Sequence, residues 1–161
     1  MLRSSKLVEL LLSKNLKLAT AESCTGGMLA CSITSISGAS KVFNCGFVTY
    51  SNQSKTKLLK VGENIIKKHG AVSRQVALAM ASGALNKSGA DIAVGITGVA
   101  GPSGGSYKKP VGLVYIAVAL NKTAYAKKFE FEGTRTQIRK QATKTALELV
   151  AAAVASHCVS Q

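Results

Sequence analysis

The stretch Ala19-Thr20-Ala21-Glu22-Ser23-Cys24-Thr25-Gly26-Gly27 passes from a short β-like run through two glycines into a helical pattern. Glycines at the start of a helix let a ligand or a reacting oxygen approach the backbone closely, and the helix's unpaired N–H groups and dipole favour negative charge there. Ser23, Cys24 and Thr25 place three nucleophiles or hydrogen-bond donors at that rim. A simpler reading also fits the stretch: a strand-to-helix turn with Thr25 as the N-cap.

Working outward, Leu7, Val8, Leu10, Leu11 and Leu12 recur at helical spacing, which predicts an amphipathic helix over Ser5 to Lys14. Lys17 to Glu22 reads as the first strand. The helix after the turn should bury Leu29, Ala30, Ile33 and Ile36 and stop at Gly38. Val42 to Tyr50 reads as a strand that turns at Tyr50 to Lys55 into a short helix reaching Leu58 and Leu59. Further helices are expected over Glu63 to His69 and from an N-cap at Ser73 to Gly89, the latter facing inward with Val76, Ala77, Met80, Ala81, Ala84 and Leu85.

Ile92 to Ile96 is a short apolar strand running into Thr97 to Gly105, where four glycines and a proline exclude regular structure. Val111 to Leu120 reads as a strand covered on both faces, and the alternating Ala124 to Glu132 as its half-exposed partner across Asn121-Lys122. Thr134-Arg135-Thr136-Gln137 has capping-box form and opens a C-terminal helix with Ile138, Ala142, Leu147, Val150 and Val154 toward the core. This order predicts one α/β domain over residues 1–161, a three-layer α/β/α arrangement with a mixed sheet.

Composition narrows the chemistry. Twenty-one Lys and Arg against seven acidic residues give +14, which suits anionic partners, yet the lysines are scattered without a basic arm or stripe. Seven acids leave little for a carboxylate metal cluster or a paired-carboxylate mechanism. Cys24, Cys31, Cys45 and Cys158 form no C-x-x-C pair and lie far in sequence from His69 and His157, so a zinc site is not expected; Cys31, Cys45 and Cys158 read as free buried thiols, and no metal or cofactor enters the expected chemistry. The longest apolar run is too short to span a bilayer, and the N-terminus lacks the apolar core of a signal peptide, so a cytoplasmic protein is expected.

Three rims should gather at strand ends: Ser23 to Gly27, Tyr50 to Lys55, and Thr97 to Gly105. They offer Ser23 as nucleophile, with Cys24 as its rival, Lys55 as a base, the Tyr50 phenol, and glycine N–H groups. Neither His69 nor His157 falls on a rim, which disfavours a Ser-His-Asp triad. A Ser-Lys pair requires Lys55 to be neutral, and a desolvated, cation-rich pocket lowers a lysine pKa in that direction.

Five ordered motifs, Thr20 to Gly27, Gly46 to Asn52, His69 to Ser73, Gly98 to Gly105 and Lys109 to Gly112, resemble the C-terminal domain of the CinA family. Those domains also occur alone as a nicotinamide mononucleotide deamidase. The resemblance implies hydrolysis of that mononucleotide's carboxamide to nicotinate mononucleotide and ammonia, in pyridine nucleotide recycling. It implies Ser23 as nucleophile and Lys55 as its activating partner, with Tyr50 either assisting proton transfer or stacking on the pyridinium ring. The substrate-binding set expected on this basis is Thr25, Gly26, Gly27, Asn52, Gly98, Gly101, Gly104, Gly105, Arg135 and Arg139, with the oxyanion on N–H groups near Thr25, Gly26 and Gly27. The 5′-phosphate falls to the Gly98 to Gly105 loop, Arg135 or Arg139. Ser103 stands where many relatives carry aspartate or glycine, and the large N-terminal domain of full-length CinA proteins is lacking. The expected partner is the small-molecule substrate, in a chain able to form a homo-oligomer; a competence-related or nucleic-acid-associated binding role is the alternative class, although no helix-turn-helix pattern or aromatic stacking set supports it.

Overall fold

In the computed structural model, which describes residues 4–121 and 123–157, the elements in chain order are α1 (Ser4–Ser13), β1 (Leu18–Glu22), α2 (Met28–Thr34), a 3-10 turn (Ala39–Lys41), β2 (Phe43–Val48), α3 (Asn52–Leu59), α4 (Glu63–His69), α5 (Arg74–Ser88), β3 (Ile92–Gly98), β4 (Leu113–Leu120), β5 (Thr123–Glu130) and α6 (Arg135–His157). The five strands form one mixed sheet in the order β2-β1-β3-β4-β5. β1 pairs in parallel with both β2 and β3, and β4 and β5 are antiparallel additions.

Side-chain size separates the two faces. On one side Leu18, Ile92, Val94, Ile96, Val114, Ile116 and Val118 meet α1, α2 and α6 through Leu7, Leu11, Leu29, Ile33, Ile138, Ala142 and Val150. On the other, Ala19, Ala21, Ala93, Ala117 and Ala119 leave room for α5, which contributes Val76, Ala77, Met80, Ala81 and Ala84. Contact there is so close that a Cβ on Gly95 would lie 2.5 Å from the Ala77 carbonyl oxygen. The result is an α/β/α three-layer arrangement, as the element order predicts.

The chain leaves β1 through α2 to reach β2 on one side, then returns through α3, α4 and α5 to β3 on the other. The C-terminal end of β1 is therefore a topological switch point, where open α/β sheets form their crevices. Ser23 stands at that point.

Several local expectations need correction. Thr25 is not a cap: α2 begins at Met28, and Gly27, with φ 91°, precedes it. α2 ends at Thr34 rather than at Gly38, which instead precedes the 3-10 turn with φ 87°. Cys31 is exposed on α2 and Cys45 only half-buried on the edge strand β2, so neither is a core thiol. Leu85 is also only half-buried. Cys158 and Lys122 lie outside the described residues; β4 and β5 pair antiparallel as far as Leu120 and Thr123. The capping box at α6 forms, with Thr134 N–H donating to Gln137 Oε1 at 2.7 Å and Gln137 N–H to Thr134 Oγ1 at 3.4 Å. Among the described residues no helix is long and apolar enough to cross a membrane.

Candidate functional site

Because β1, β2 and β3 are parallel, the segments that follow them emerge on one edge of the sheet. Ser23 follows β1 and is anchored by its N–H, which donates to the Ile96 carbonyl of β3 at 3.0 Å. Ser51 caps α3 by accepting from Ser54 N–H at 3.0 Å, which starts the helix at a point that turns Lys55 and Leu59 inward, one helical turn apart. Lys55 is only 1% exposed.

Its Nζ lies 3.0 Å from Ser23 Oγ, 2.8 Å from the Thr49 carbonyl oxygen and 3.2 Å from that of Tyr50. Burial pushes the Lys55 pKa below the usual lysine value, with the Cys24 sulfur opposing the shift. Among the described residues no carboxylate pairs with it, since the ion pair found there joins Lys128 and Glu130. The two carbonyls can only accept. The third contact, with Ser23 Oγ, is met either by a third N–H of the charged lysine or by the lone pair of the neutral amine accepting the serine O–H, so the triangle of oxygens accommodates both forms that a proton-transferring lysine passes through.

Cys24 is buried and belongs to the same core cluster as Leu29 and Ile33. Burial pushes its thiol up to about 11, with Glu22 adding to the rise and the N–H groups of Cys24 and Thr25 and the charge of Lys55 working against it. A thiol held protonated is a poor nucleophile.

The backbone donors around the turn are mostly spent. Gly26 N–H donates to the Ser23 carbonyl at 3.0 Å and Met28 N–H to that of Thr25 at 3.2 Å. Gly27, Leu29 and Ala30 all donate to the Glu22 carboxylate. The expected oxyanion donors at Gly26 and Gly27 are therefore occupied. The N–H groups of Cys24 and Thr25 lie toward the Cys24 sulfur.

Arg135 closes the rim from α6. Its Nη1 donates to the Gly101 carbonyl at 2.8 Å and its Nη2 to Tyr50 Oη at 2.9 Å, which ties the loop after β3 to the segment after β2. Arg139, one turn later, donates from Nη2 to the Thr25 carbonyl at 2.7 Å, while its Nε is buried without a partner. Tyr50 itself is 61% exposed. The structure thus gathers Ser23, Lys55, Tyr50, Thr25, Gly101, Arg135 and Arg139.

Other expected contacts fall elsewhere. Asn52 is exposed and lines a cleft of about 450 Å³ with Gln53, Thr56, Glu63, Ile66 and Lys67, between α3 and α4. Gly98 belongs to β3, and a Cβ there would lie 2.7 Å from Val114 Cγ2, so strand packing accounts for the glycine. Gly104 and Gly105 are exposed in the loop after β3. Among the described residues no three His, Cys, Asp or Glu side chains group closely enough to hold a metal ion. The sequence reading overlooked Thr49, whose role is carried by a carbonyl, and Glu22, whose signal was an acid at the end of an otherwise apolar strand.

A family model described as the CinA C-terminal domain matches residues 3–154. The chain belongs to that family. It is 49% identical over 142 residues to a CinA-like protein of Syntrophobacter fumaroxidans, a match covering 88% of this chain and 34% of that protein. The chain spans about a third of the length of the curated relatives it matches. Among solved structures it is similar to the competence/damage inducible protein CihA from Agrobacterium tumefaciens, with TM-score 0.88 and 42% identity over 94% of this chain and 98% of that one. A CinA superfamily protein from Klebsiella pneumoniae aligns with TM-score 0.92 and 31% identity, covering 95% of this chain and 96% of its own.

Proposed function

We propose that this CinA-family chain hydrolyses the carboxamide of nicotinamide mononucleotide to nicotinate mononucleotide and ammonia, serving pyridine nucleotide recycling in the cytoplasm. The observation that carries the reading is the buried Lys55 amine, held by two carbonyls and facing Ser23 Oγ at 3.0 Å. Ser23 attacks the amide carbon as Lys55 takes its proton. The oxyanion that forms calls for N–H donors from the turn that carries Ser23, each worth about 10²–10³ in rate in comparable sites. Lys55 then returns the proton to the leaving nitrogen, ammonia departs, and water hydrolyses the ester with Lys55 again as base.

The charge of +14 and the exposed guanidinium of Arg135 suit an anionic substrate. Arg135 is the phosphate partner in this reading, and Tyr50, hydrogen-bonded to it, borders the pyridinium ring. Arg139 acts through the turn, because it already holds the Thr25 carbonyl. The test is ammonia release from nicotinamide mononucleotide by the purified chain, lost in Ser23→Ala. No release by the unaltered chain would remove this substrate from the proposal.

A further inference from the structure

Glu22 is the last residue of β1, fully buried and one position ahead of Ser23. A carboxylate taken out of water is tolerated where donors replace its hydration. Here the donors are backbone N–H groups: Gly27 and Leu29 donate to Oε2 at 3.0 Å each, and Ala30 donates to Oε1 at 2.8 Å. Gly26 and Gly27, with φ of 59° and 91°, bend the chain so that these groups converge on one side chain. An N-cap commonly satisfies one such donor. Three bonds for a helix of seven residues do more than start it. They close the strand end onto the helix end and fix the loop Ser23 to Gly26 between them.

We infer that Glu22 is the positioning residue of this site: its carboxylate holds the turn so that Ser23 Oγ meets Lys55 Nζ. The clamp also occupies the start of α2, which leaves that helix end unable to receive a substrate anion. Glu22 does not touch the substrate. The inference rests on Ser23 being the nucleophile, and its test is chosen to be independent of which amide is cut.

The probe is an alkyl fluorophosphonate. Ser23 Oγ forms a bond to phosphorus, the P–F bond breaks with loss of fluoride, and the serine proton passes to Lys55. Intact mass over time gives the labelling rate, and peptide mapping gives the site. Each variant is measured well below its own unfolding temperature, so that folded protein is compared with folded protein. The expected result is Ser23 labelling of the unaltered chain, slowed about 10–100-fold in Glu22→Gln, where an amide NH2 faces backbone donors. Glu22→Asp, which keeps the charge but cannot span all three donors, should fall between the two. Where nicotinamide mononucleotide is turned over, Glu22→Gln should lower kcat by a similar factor with KM changed less than about twofold. Labelling of folded Glu22→Gln at the unaltered rate overturns the inference while leaving the nucleophile intact. Collapse of both variants to unfolded chains overturns it in favour of a purely structural role. Absence of Ser23 labelling in the unaltered chain overturns both the nucleophile and the inference. Labelling without turnover of the mononucleotide removes only that substrate.

Discussion

Ser23 and Lys55, separated by 32 positions, meet at 3.0 Å because β1 and β2 are parallel neighbours whose C-terminal ends share one edge of the sheet. One supplies the hydroxyl from a turn, the other an amine from the first turns of a helix. The pair is thus fixed by two crossovers, and each member can be tested separately.

Ser23→Ala should abolish ammonia release with little change in unfolding temperature. Cys24→Ala should keep most of the activity and lose about 1 kcal/mol of stability, as for a typical core truncation, because the thiol is packed in the core and pushed up to about 11. Steady-state kinetics and thermal melts of both variants check this. Loss of turnover in Cys24→Ala with normal turnover in Ser23→Ala would exchange their roles.

Lys55 makes activity and stability depend on pH in a defined direction. Its folded pKa lies below its ordinary 10.5, so kcat/KM should rise with pH as the amine loses its proton. Between the folded pKa and 10.5 the unfolded chain binds the proton and the folded chain does not, so stability should also rise with pH across that window. Below the folded pKa this contribution is fully lost. Lys55→Met should erase both dependences, and Lys55→Arg, which cannot become neutral, should be as inactive as Lys55→Ala. Substantial turnover by the arginine variant would show that positive charge, not proton transfer, is what the site uses.

The two arginines of α6 should separate kinetically. Arg135→Ala releases Tyr50 and the Gly101 carbonyl and removes the exposed cation, so KM for the mononucleotide should rise about tenfold, a charge-assisted contact's worth, and more than KM for nicotinamide riboside. Arg139→Ala releases the Thr25 carbonyl and should lower kcat for both substrates alike. Equal KM changes for both substrates in Arg135→Ala would exclude its phosphate contact.

Gly98→Ala should destabilise the chain by about 1–3 kcal/mol, the range for forced overpacking. The added Cβ would lie 2.7 Å from Val114 Cγ2 and 2.8 Å from the Leu113 carbonyl oxygen, and β4 would have to move. Chemical denaturation measures the loss. An unchanged midpoint would mean that the strand end yields freely.

Periodicity made the helices readable, since α1, α5 and α6 bury one face each, α5 runs from a Ser73 cap to a Gly89 stop and α6 opens on a capping box. The rims were readable as well, because strand ends in an α/β order converge whatever the details of the loops. Side-chain direction within the rim was not. Nothing in Ser23-Cys24 says which of the two faces Lys55, because that depends on how Gly26 and Gly27 bend the chain. The fate of the Gly26 and Gly27 donors was hidden for a related reason: Ser23 and Glu22 accept them at distances that only the folded turn brings about. Gly98 misled as a loop glycine because steric exclusion by a neighbouring strand leaves the same letter in the sequence as a flexible hinge. Cys31 misled because an apolar stretch of sequence places one residue of its helix in solvent.

The anchoring of Ser23 N–H on the Ile96 carbonyl ties this serine to β3, a strand some seventy residues later in the chain. The β1–β2 pair alone therefore lacks one support of the turn, even though Ser23 and Lys55 lie on the segments that directly follow its two strands. During refolding, recovery of phosphonate labelling should lag behind the appearance of helix and follow the long-range pairing of β1 with β3, since non-local contacts form late. Chemical competence becomes a clock for the central sheet.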